Sequence, residues 1–178
     1  MPLVNLGYEG PQARVPVFRV TVTEAYFFAE WLKGKLPTKR QLVRAAGGSL
    51  DEPLPDEQTT GPFLGDISDT SDLPLNLGET GPWPVDKSKR DVSKFGCRGL
   101  ASNGLEWTRD VQTADPKNPF VPLPKYMRPD GRVYVVGKSY LDDFPPVTFY
   151  QLRTSTLAVN YLEASHDISF RVVLERGE

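Results

Sequence analysis

The chain is 178 residues long, which suits one domain able to bury about two thirds of its unfolded surface in a single core. With 39% hydrophobic residues, 17 Pro and 15 Gly it reads as a loop-rich globular protein, which excludes collagen-like and disordered classes. Lysine and arginine number 21 against 23 acidic residues, so there is no basic field of the kind that recruits nucleic acid, and nucleic acid is not an expected partner.

Residues 1–16 are punctuated by Gly and Pro and read as an arm over the surface, ahead of a single domain spanning 17–178. Met1-Pro-Leu-Val4 lacks the basic start of a secretory signal, and no apolar run approaches the roughly 20 residues of a membrane span. Phe18-Arg-Val-Thr-Val22 alternates enough for a short strand. Thr21-Val-Thr-Glu24 then forms a capping box, whose hydroxyl and carboxylate satisfy free amide groups at a helix start. Ala25, Phe28, Ala29 and Leu32 follow at helical spacing, and the helix should end near Gly34. A second box, Thr38-Lys-Arg-Gln41, opens a shorter helix that Gly47-Gly48 stops.

From Asp51 to Asp91 the chain is acidic and rich in Pro and Gly, with no sustained period. Phe63, Leu64, Leu73, Leu75, Leu77 and Trp83 are its candidate anchors to the core. Within it, Asp66, Asp69 and Asp72 stand close enough to repel one another unless a cation or solvent screens them, a candidate site for a hard metal ion. Phe95 to Asp110 is the organising stretch. Gly96, Gly99 and Gly104 permit positive φ or close backbone approach, Asn103 can close a loop through its amide, and Glu106-Trp107 opens a strand with Trp107 inward.

Arg132 to Val136 reads as a buried strand that Gly137-Lys-Ser-Tyr140 ends. Ile168 to Leu174 reads as a closing strand, with Ile168, Phe170, Val172 and Leu174 on one face. Between them Tyr140, Asp142, Asp143, Phe144, Tyr150, Arg153, Asn160 and Tyr161 mix aromatic anchors with adaptable polar groups, as recognition surfaces do. Cys97 is the one cysteine, so no internal disulfide forms; this suits a reducing, cytoplasmic setting. His166 is the one histidine, and a single imidazole makes no three-ligand iron site.

Taken in order, Ala25 to Gly48, Lys94 to Trp107, Arg132 to Tyr140 and Ser169-Phe-Arg171 resemble the helix, "NxFGLYDMxGNVWEW", "RVxRGGSW" and "GFR" motifs of the sulfatase-modifying-factor (formylglycine-generating enzyme) family. The resemblance implies an α+β, C-type-lectin-like fold, loop-rich, with two helices packed on a small, twisted, mostly antiparallel sheet. It also implies a preceding segment of strands and an early helix, to be supplied by another chain or dispensed with in a reduced variant.

The family's oxidase chemistry uses two copper-binding thiolates just beyond the "GGSW" strand, whereas Leu141-Asp-Asp-Phe-Pro-Pro-Val147 holds none. No copper or iron site is therefore expected from this chain alone. The resemblance further implies a structural calcium in the Gly-rich loop, involving Glu106, Gly99 and Asn103, although Gly99 stands where the family offers Asp or Asn; without the ion, Glu106 would accept loop amides. The resulting expectation is a non-catalytic binding module that recognises a protein or glycan partner through the 140–166 surface. Two alternatives are a component of a copper or non-heme iron oxidoreductase completed by another domain or chain, and a retroelement-diversified ligand-binding protein.

Overall fold

The structure, a computed structural model, describes residues 14–49, 51, 53, 60–69, 71–114, 117, 120–123 and 130–174. Both anticipated capping boxes form. Thr21 is extended, its hydroxyl accepts the Glu24 N–H at 3.2 Å and the Glu24 carboxylate accepts the Thr21 N–H at 2.8 Å, which starts helix α1, Val22–Trp31. Thr38 and Gln41 repeat the arrangement at the head of α2, Lys39–Ala46, and Gly47 ends it in the left-handed region at φ 106°. A third box, Thr148 with Gln151, opens α3, Phe149–Thr154.

Among the described residues five strands make one short mixed sheet: β1 (Gly104–Gln112), β2 (Phe120–Pro122), β3 (Arg132–Lys138), β4 (Ala158–Asn160) and β5 (Ile168–Ser169). The order is β2-β1-β3-β4 with antiparallel pairs, while β5 runs parallel to β1 at Leu105 and Glu106. One face of this sheet and the inner face of α1 enclose the main core. Trp107 is fully buried among Val22, Ala25, Ala29, Leu36, Val133, Val135 and Ile168, and its indole N–H donates to Val20 O at 2.9 Å. A fully buried side chain of this kind contributes roughly 1.5–3 kcal/mol, which makes this cluster the main source of stability. A second cluster of Leu42, Val43, Ala46, Leu100, Val136, Val147 and Leu152 holds α2 and α3 to the other end of β3.

Lys39 ties three elements together. Its N–H donates to Asp110 Oδ2 of β1 at 2.6 Å, and its ammonium donates to Arg153 O at 3.0 Å and to Ser155 O, closing the C-terminal end of α3. Burial pushes the Lys39 pKa down, against the opposing pull of Asp110.

Two sequence expectations are corrected. Residues 18–22 form no strand, because Arg19 takes a positive φ of 59° and the Thr21 box draws Val22 into the first turn of α1. The last strand pairs over Ile168–Ser169 and then leaves the sheet, since the same edge of β1 is bonded further along by Pro37 and β2. Val173 bridges Lys35 instead, and Leu174 is 67% exposed. In the acidic loop Phe63, Leu73 and Leu75 are buried as anchors, Leu77 and Trp83 are half-buried, and Leu64 is exposed. Residues 1–13 of the expected arm lie outside the described residues; Arg14 pairs with Asp86 at 2.6 Å.

Candidate functional site

The Gly-rich crossing is held by buried charge. Asp91 accepts the Ala101 N–H at 2.9 Å and the Ser102 hydroxyl at 2.6 Å, while Ser88 Oγ accepts the Asp91 N–H. Burial pushes the Asp91 pKa up to about 6, even though both hydrogen bonds and the nearby Arg171 favour the ionised form. The Glu106 carboxylate is clasped through both oxygens by the Arg171 guanidinium, which also donates to Arg98 O at 3.1 Å. Burial works against the charge on Arg171, but Glu106 outweighs it and holds the guanidinium protonated.

The Asn103 amide closes the loop as expected, accepting the Trp83 N–H at 2.8 Å and donating to Trp83 O at 3.0 Å. Gly104, at φ 142°, also lies where a Cβ would meet the Phe18 ring at 2.6 Å, so this position admits glycine for two reasons. Glu106 thus differs from the expectation that it accepts loop amides. Its partner is an arginine from the far end of the chain, and the "GNVWEW"-like and "GFR"-like motifs meet in one ion pair.

Two of the three aspartates of the acidic loop, Asp66 and Asp69, also hold an arginine. Arg90 donates to the carbonyls of Leu64, Asp66, Asp69 and Ser71 at 2.7–2.8 Å and pairs with Asp69 at 3.0 Å. Hydrogen bonds from Ser68 and Ser71 hold the pKa values of Asp66 and Asp69 below the ordinary carboxylate range. Asp72 accepts the Lys89 N–H at 2.7 Å. In both places that the sequence offers to a cation, the positive charge is supplied by a guanidinium. An incoming ion would compete with Arg171 for Glu106 and with Trp83 for Asn103, and Gly99 bonds through its N–H to Asp91 O.

The residues expected to form one recognition surface divide between two cavities and the framework. Tyr140 packs edge-to-face on Phe18 with centroids 5.7 Å apart, donates to His166 O at 3.3 Å, and lines a cavity of about 650 Å³ with Phe18, Arg19, Pro82, Leu141 and His166. Burial pushes its phenol pKa up, so Tyr140 stays a neutral donor. Asp142, two residues on, faces a separate cavity of about 330 Å³ with Lys138, Val147, Gln151, Leu152 and Thr154. Asp142 also accepts the Ser139 N–H at 3.1 Å.

The other members of the set take different positions. Asp143 is exposed, and Phe144 packs with Phe63, Leu73 and Ala101. Tyr150 and Arg153 are half-buried on α3, where Arg153 donates to Pro53 O. Asn160 ends β4 and caps Leu162, and Tyr161 packs on the main core.

Sequence reasoning missed Asp91, Arg90 and Arg171 as the residues that hold the loops, and Phe18, Arg19 and Pro82 as walls of the larger cavity. A charged residue that will be buried leaves no periodic signature, and Phe18, Arg19 and Pro82 stand more than 50 positions before Tyr140. The copper of the family's oxidase chemistry does not fit the segment after β3, because Asp142 and Asp143 are hard oxygen donors and Cys97, the one thiol, is half-buried against the second core cluster.

A short curled sheet, few helices and long irregular loops held by buried charge define a small, loop-rich α+β scaffold. The family model of the Sulfatase-modifying factor enzyme 1-like domain matches residues 7–176, and the chain belongs to that family. A comparison with curated proteins finds none that matches.

Proposed function

We propose that the domain is a non-catalytic member of its family that binds a protein or glycan partner through the face built by residues 140–166. The observation that carries this reading is the cavity of about 650 Å³ in which Tyr140, Leu141 and His166 meet Phe18 and Pro82. Its walls combine aromatic rings with a few polar atoms, the composition that suits a sugar ring or an extended peptide. The neighbouring segment 141–147 supplies carboxylates where the family's redox chemistry needs thiolates, which argues against oxidase activity from this chain.

The test is retention of a partner from native extract, with a glycan array run in parallel, comparing the wild type with Leu141→Arg. Leu141 is 38% exposed at the rim, so the substitution fills the cavity mouth without entering the core. The expected result is one partner or glycan retained by the wild type and lost by the variant. Equal retention by both removes this face from recognition. Stoichiometric copper or iron copurifying with the assembled protein would instead favour a metal-dependent oxidoreductase completed by another chain.

A further inference from the structure

A third cavity lies at the other end of the sheet. Opposite β3, β1 carries a bulge: Trp107 faces Val135 and Val111 faces Val133, so four steps along one strand match two along the other. Thr108 and Asp110 turn inward, where Thr108 Oγ1 donates to Tyr134 O at 2.8 Å and Asp110 accepts the Lys39 N–H. Arg109, between them, is turned to the opposite side. Its backbone is satisfied by Pro37 O and the Leu123 N–H, and its side chain enters a cavity of about 490 Å³ lined by Tyr26, Glu30, Lys35, Leu36 and Leu123.

The Nε–H of its guanidinium lacks an acceptor there. Arg109 Nε is buried without an acceptor among the described residues, a rare state for a charged group, because loss of hydration has to be matched by hydrogen bonds. Neighbouring carboxylates do not accept from it: Asp110 feels the Arg109 charge but bonds the Lys39 amide, and Glu30 accepts the Tyr26 hydroxyl at 2.9 Å. A bulge that aims an arginine with an unsatisfied Nε–H into a cavity of ligand size indicates an anion that completes it.

We propose that this cavity binds a small organic carboxylate. Its oxygens take the Arg109 Nε–H and an adjacent guanidinium N–H, the bidentate geometry that arginine favours. Its apolar body lies against Leu36, Leu123 and the Tyr26 ring. Lys35 adds positive charge at the site, and Glu30 disfavours a doubly charged anion such as phosphate. The site is separate from the 140–166 face and does not depend on its role.

The experiment titrates the full chain with phenylacetate, benzoate, hexanoate, the neutral isostere phenylacetamide and inorganic phosphate, read by calorimetry and thermal shift. At least one carboxylate should saturate, with phenylacetamide and phosphate at least about tenfold weaker. Arg109→Gln should weaken carboxylate binding by at least about tenfold yet melt, without ligand, at or above the wild-type temperature, because it removes the buried Nε–H that has no acceptor. Leu123→Trp, which keeps the arginine and fills the cavity, should also abolish binding. No saturable carboxylate, equal binding of the amide, tighter binding of phosphate, or unaltered binding in either variant would overturn the proposal. So would a clear drop in the melting temperature of Arg109→Gln, which would make the arginine structural.

Discussion

The Gly-rich crossing and the acidic loop each wrap around one arginine, and they do so by different means. Arg171 meets a carboxylate, Glu106, in a largely buried pocket shared with Asp91. Arg90 meets mainly backbone carbonyls, four of them, with one exposed carboxylate beside it. In the first loop the charges are needed because each would be costly alone. In the second the number and direction of N–H donors matter more, because the carboxylates are open to water and contribute little. An acidic loop with no regular structure can therefore be fixed by guanidinium geometry, and a Gly-rich turn by charge pairing at depth.

Arg171→Met is the strongest way to test this difference. It leaves Glu106 and Asp91 without their cation, and a loss of about 3–5 kcal/mol by denaturant unfolding is expected. A loss under about 1 kcal/mol would place the pair among ordinary surface bridges.

Next comes the pH dependence of Asp91. Its folded pKa of about 6 lies above the usual 3.8, so the folded state binds more protons between those values, and the group's contribution is fully present below pH 4 and lost as pH rises through 6. The difference corresponds to about 3 kcal/mol across that window. Asp91→Asn should flatten this part of the stability profile; identical slopes for variant and wild type would remove Asp91 as its source. Asp66 and Asp69 have the opposite sign and act below the ordinary carboxylate range, outside the window.

Arg90→Lys keeps the charge and loses the fork. The expected cost is about 1–2 kcal/mol, little changed by added salt. Full stability in Arg90→Lys would mean that charge alone holds the acidic loop. The smallest expected effect is that of a chelator. With guanidinium groups supplying the positive charge, EDTA should leave the melting temperature unchanged, and a drop in the wild type that is absent from Glu106→Ala would restore a calcium ion to the crossing.

Local chemistry was readable wherever one segment decides the outcome. The two capping boxes, the Gly47 stop, the inward Trp107 and the β3 strand follow from side-chain pattern and turn chemistry within a few residues. Thr148-Phe-Tyr-Gln151 carries the same box signature, yet after Pro145-Pro146 its short helix has too little periodicity to be seen. The alternation at Phe18 to Val22 misled because the neighbouring cap competed for Val22.

The site was legible in position and not in partnership. Glu106 stands at a recognisable place in a motif, but its partner lies 65 residues away, and nothing in either segment announces the other. Tyr140 and Asp142 are near neighbours in sequence, and the turn between them sends them to separate cavities.

Lys39 has a consequence of its own. Its amide is anchored to a strand and its amine to the tail of another helix, so one side chain adds polar ties to the apolar packing that joins α2 and α3. An opening that peels α3 away gives up the two carbonyls that hold this amine, so the seam resists parting more than its apolar contacts alone would require.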